Sequence, residues 1–144
     1  MNNSRLVSII SGLLIFLWVY AGLSKLLDFD RSLGEMLSQP MAPWLEKILV
    51  WLVPSSELFT TGLLIYSRTK LYGLVLSSLL LISFSIYITL VISSVFNHIP
   101  CSCGGIFKSM SWETHLAFNL CFLALALYAT FHSVKERRNM GKDC

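Results

Sequence analysis

Cys101 and Cys103 stand one residue apart in the run His98-Ile99-Pro100-Cys101-Ser102-Cys103-Gly104-Gly105. Pro100 lacks an N–H and disfavours helix before it. Gly104 and Gly105 free the backbone after it. Two thiols are therefore expected on a turn. A disulfide between them would close a very small ring, which fits the preferred geometry poorly. Strain of that kind makes a disulfide more oxidising and more readily exchanged. Structural disulfides gain most by closing long loops, so this spacing favours an exchanging redox pair over a staple. An imidazolium at His98 would lower the pKa of a nearby thiol. Two other readings stay open. Cys101, Cys103, His98 and His115 are soft and borderline metal ligands, but they lack the usual zinc spacing, and no metal is assigned. The two cysteines could also be small residues in a tight turn. Of the remaining thiols, Cys121 is expected to be buried and inert. Cys144 is expected to stay reduced at a cytoplasmic end, with no role.

A second set of candidates lies inside apolar sequence. Glu57 is an acid well within a hydrophobic run. A carboxylate there must face protein or water, and must pair or stay protonated. It could handle a proton or contact a substrate. Alternatively Pro54 restarts a helix that Glu57 caps, or Glu57 pairs with Lys25. Lys25 and Asp28 close the first apolar run. A lysine there is expected to snorkel outward to the interface. Trp18, Trp44, Trp51 and Trp112 read as belt or packing residues. Ser77, Ser78, Ser83 and Ser85 read as small interhelical contacts.

These residues must be positioned by lipid-embedded helices. The 144 residues are 55% hydrophobic and 13% charged, with mean hydropathy +0.68. A soluble domain carries about twice that charge. Four segments are long and apolar enough to span a bilayer: about 6–27, 47–66, 71–96 and 112–132. The expected fold is all-α, a single-domain integral membrane four-helix bundle with a polar, frayed tail over 133–144. The first run lacks a small-x-small cleavage site and is expected to remain as a helix.

The polar turn Arg68-Thr69-Lys70 joins the second and third spans. Between the first and second, Phe29, Leu33, Met36 and Leu37 recur at helical spacing, which suggests a short amphipathic helix at the membrane surface. Of the 11 basic residues, seven (Arg5, Arg68, Lys70, Lys135, Arg137, Arg138, Lys142) fall on one side of the spans. Lys25, Arg31, Lys47 and Lys108 fall on the other. The richer side should be cytoplasmic. Both termini are then inside, and the Cys-x-Cys loop faces outward, to the periplasm if the membrane is a bacterial inner membrane.

The chain has no phosphate-binding loop, dinucleotide fingerprint, H-E-x-x-H or C-x-x-C motif. Its net charge of +3 sits at the ends of spans, which leaves no nucleic-acid surface. Gly22-Leu23-Ser24-Lys25-Leu26-Leu27-Asp28-Phe29 resembles the G-x-x-K-L-x-D-F signature of MauE/DoxX-type membrane proteins. Pro54-Ser55-Ser56-Glu57, with Gly62 after it, is similar to their P-x-x-E pattern. Pro100-Cys101-Ser102-Cys103-Gly104-Gly105 resembles the P-C-x-C-F-G segment of the MauE branch, with Gly104 in place of the aromatic residue. The likeness runs from about Leu6 to His132. It implies a four-helix membrane bundle near thiol–disulfide chemistry, with Lys25, Asp28 and Glu57 as signature positions.

The expected function is therefore disulfide exchange between Cys101/Cys103 and an extracytoplasmic thioredoxin-like partner, as a thiol–disulfide oxidoreductase component. His98, Glu57, Lys25 and Asp28 would support it. No cofactor is evident in the sequence, and a membrane quinone is the candidate carrier to or from which electrons would pass. The alternatives are a non-enzymatic assembly factor or anchor for a periplasmic enzyme, and a small metal-handling or transport protein.

Overall fold

A computed structural model describes residues 3–37, 42–93 and 111–140. Five helices carry these residues: α1 (Asn3–Leu27), α2 (Phe29–Leu37), α3 (Pro43–Ile65), α4 (Lys70–Ile92) and α5 (Trp112–Met140). No strand occurs among the described residues. Four stretches are long and apolar enough to cross a membrane: Ser4–Leu27, Trp44–Ile65, Lys70–Ile92 and Trp112–Asn139, with mean hydropathies of 2.3, 1.7, 2.4 and 1.6. The expectation of an all-α bundle with four membrane-spanning helices holds.

The long helices pack in the cyclic order α1, α3, α4, α5, with α5 closing back on α1. The turn at residues 66–69 forces α3 and α4 antiparallel. Val7, Ile10, Leu14 and Trp18 recur at three- and four-residue spacing on α1 and form its inner seam. Leu64 of α3, Leu74 and Leu81 of α4, and Ala126 and Ala129 of α5 meet it. Phe16, Phe59, Tyr72 and Phe131 point outward and are largely exposed, as lipid-facing side chains should be.

Two glycines set how closely the helices approach. A Cβ on Gly73 would lie 2.9 Å from the backbone nitrogen of Leu64, so α4 meets α3 backbone to backbone. A Cβ on Gly22 would lie 3.0 Å from the Leu58 side chain and 3.5 Å from the Pro54 carbonyl. This register puts the end of α1 opposite the middle of α3. The first turns of α3 therefore run past α1. α2 packs on that overhang, and Phe29 stacks against Trp51 with ring centroids 4.7 Å apart.

Some boundaries differ from those read in the sequence. α4 is described to Ile92, where Ser93 caps it with its N–H on the Thr89 carbonyl, and the expected end near Phe96 lies outside the described residues. α5 continues as helix through the polar residues 133–140, the stretch expected to fray. Its start is capped by Ser111, whose hydroxyl oxygen accepts the Thr114 N–H at 3.2 Å.

Candidate functional site

Lys25 and Glu57 meet inside the bundle. Lys25 Nζ donates to both carboxylate oxygens of Glu57, at 2.8 and 3.1 Å. It also donates to the Ala21 carbonyl at 3.2 Å. Ala21 is one turn earlier on α1, so the lysine folds back along its own helix toward the bundle interior. The expected outward snorkel is not what the chain does. The Glu57 side chain is 1% exposed and can satisfy its charge only within the protein, whereas Lys25 is 19% exposed. The close approach at Gly22 brings α1 near enough for the lysine to reach the acid.

The sequence around Glu57 shapes its setting. α3 passes through Pro54 without interruption, so Glu57 is no N-terminal cap. Pro54 removes one backbone donor and weakens the helix there. Hydroxyls follow within two turns. Ser56 donates to the Val53 carbonyl at 2.7 Å, Thr60 to the Ser56 backbone carbonyl at 2.7 Å, and Thr61 to the Glu57 backbone carbonyl at 3.1 Å. His115 lies one turn into α5. Two spans, α1 and α3, thus meet at one polar locus. A buried ion pair of this type fixes two helices in register, and it can also hold a proton at the carboxylate.

Asp28 is not part of this locus. Its carboxylate is 60% exposed and lies 3.8 Å from Arg31 on the surface of α2. Arg31 also approaches Glu35 at 3.4 Å. Burial pushes the Glu35 carboxyl above its ordinary range, Arg31 pulls it back, and Asp28 raises it further. His98, Cys101 and Cys103 lie outside the described residues. Ser93 at the end of α4 and Ser111 before α5 bracket that segment, at the same end of the bundle as Lys25.

Three interhelical hydrogen bonds, made by two side chains, were not expected from the sequence. Trp18 Nε1 donates to Ser77 Oγ at 2.9 Å and ties α1 to α4. Trp18 is 2% exposed, a core residue and no belt residue. Asn119 Nδ2 of α5 donates to the Leu81 carbonyl at 3.0 Å and to Ser85 Oγ at 2.9 Å. An amide in the middle of a span is costly unless bonded, and Asn119 carried that signal. Cys121 is exposed on α5, contrary to the buried position expected.

These features define a helical membrane protein with four spans, held by a buried Lys–Glu pair and three further hydrogen bonds between helices. The family model for methylamine utilisation protein MauE matches residues 3–132. The chain belongs to the MauE family. No curated protein and no solved structure gives a match.

Proposed function

We propose that this chain is a membrane-bound accessory protein whose Cys101/Cys103 pair exchanges disulfides with a thioredoxin-like protein outside the cytosol. Family membership over residues 3–132 supports a membrane-associated accessory role in methylamine utilisation. The observation that carries the chemistry is the Cys101-Ser102-Cys103 spacing within the matched stretch. One thiolate attacks a disulfide sulfur of the partner, forms a mixed disulfide and releases the partner's second sulfur as thiolate. The other cysteine resolves the mixed disulfide. The pair ends oxidised and the partner reduced. The reverse sequence moves the same two electrons and two protons the other way. In that reverse direction the pair ends reduced, and a membrane quinone is the acceptor class that would reoxidise it, taking up the two electrons and two protons. Lys25 and Glu57 act as positioning residues, because they hold α1 against α3 below the ends from which the outer segments leave.

Single Cys101→Ser and Cys103→Ser variants test this reading. One of them should accumulate a mixed disulfide, visible on non-reducing gels and lost on reduction. If neither traps a partner, and the double variant supports the pathway as well as the native chain, the protein works as an anchor and the redox reading is wrong.

A further inference from the structure

The opposite end of the bundle carries a separate constellation. An apolar groove follows the last turns of α3, lined by Phe59, Gly62, Leu63 and Tyr66, and it runs into Arg68 and Thr69 of the turn before α4. Phe59 and Tyr66 are 63% and 72% exposed. Phe59 belongs to the Trp44–Ile65 span, so its end of the groove faces hydrocarbon, while the other end is cationic. The polar extension of α5 reaches this turn: Arg137 Nη2 donates to the Arg68 carbonyl at 3.1 Å. That contact brings the segment with Lys135, Arg137 and Arg138 beside Arg68 and Lys70. Five cations then stand against one acid, Glu136, a net of +4. The Thr69 hydroxyl donates back to the Leu63 carbonyl at 3.0 Å and leaves the α4 N-terminus without a side-chain cap. That helix end adds partial charge of the same sign.

We propose that this groove and basic turn form a binding site for an anionic phospholipid, with its phosphate at Arg68, Lys70 and Arg137 and one acyl chain along Phe59, Gly62 and Tyr66. A free phosphate would use the cations and leave the groove idle. A zwitterionic lipid would fill the groove and gain little from a net of +4. Basic side chains at the end of a span attract anionic headgroups.

The test uses the full chain purified in mild detergent, with thermal unfolding and native mass spectrometry as readouts. Phosphatidylglycerol should be retained with roughly tenfold preference over phosphatidylcholine. It should raise the melting temperature more, and salt should shrink the difference. Arg68→Gln with Lys70→Gln should abolish the preference. Gly62→Leu should weaken binding of both lipids by filling the groove, and a Cβ at Gly62 meets nothing within 4 Å, so this variant should fold. Equal binding of the two lipids by the native chain would overturn the proposal without recourse to any variant. So would a preference unchanged by the paired glutamines, or equal stabilisation by inorganic phosphate alone.

Discussion

Lys25 Nζ sits 2.8 Å from Glu57 Oε1 with the acid almost fully enclosed, and this contact joins α1 to α3 across the membrane interior. Removing the lysine strands the enclosed Glu57 carboxylate without its counter-charge. Lys25→Met alone should destabilise the protein by about 3–5 kcal/mol, whereas Lys25→Met with Glu57→Leu should recover most of that loss. Chemical unfolding in detergent micelles, arranged as a double-mutant cycle, measures the coupling. Independent, additive effects would show that the pair does not hold the two helices.

Asn119 ties α5 to α4 through two bonds. Asn119→Leu should cost little, because it removes the donor and supplies an apolar side chain. Ser85→Ala leaves the amide with one partner and should cost about 0.6 kcal/mol, the mean for hydrogen bonds inside membrane proteins. Unfolding midpoints of the two variants against the native chain give the comparison.

Glycines on different faces should respond in opposite senses. Gly73→Ala places a methyl 2.9 Å from α3 backbone and should destabilise by about 1–3 kcal/mol. Gly12→Ala meets nothing within 4 Å in α1 and should stabilise by about 0.5–1 kcal/mol. Thermal unfolding of both variants separates the close approach at Gly73 from general helix propensity.

Glu35 on α2 gives a pH dependence of defined sign. Its carboxyl is raised above 4.5 in the folded chain, so the folded state binds more protons than the unfolded state in that window. Its contribution is full below pH 4.5 and is lost as pH rises through the raised value. Glu35→Gln should flatten that part of the stability profile. A profile unchanged by the substitution would show that α2 does not enclose the carboxyl.

Much of this could be read from the chain. Four apolar runs gave the spans, since the bilayer demands about 20 residues and satisfied backbone groups. The helical spacing of Phe29, Leu33 and Leu37 gave α2. Glu57 stood out as an acid inside a span, and its pairing with Lys25 was one of the readings it allowed. The choice among them was not legible. It depends on the close approach at Gly22 and on which way a flexible lysine folds, and both are tertiary facts. The Trp18–Ser77 contact escaped for the same reason, because residues 59 apart in sequence meet only once the bundle is assembled. The end of α5 was misread because composition reports polarity, and a polar segment can remain helical where Arg137 finds the Arg68 carbonyl.

Disulfide exchange with a partner outside the cytosol requires the Cys101/Cys103 segment to lie on that side of the membrane. A chain with Cys121 and Cys144 replaced by serine, treated with reductant in intact cells and exposed to a membrane-impermeant maleimide, answers this directly. Labelling of Cys101 and Cys103 before the cells are opened is the expected result. Labelling that occurs only after the cytosol is exposed would contradict it.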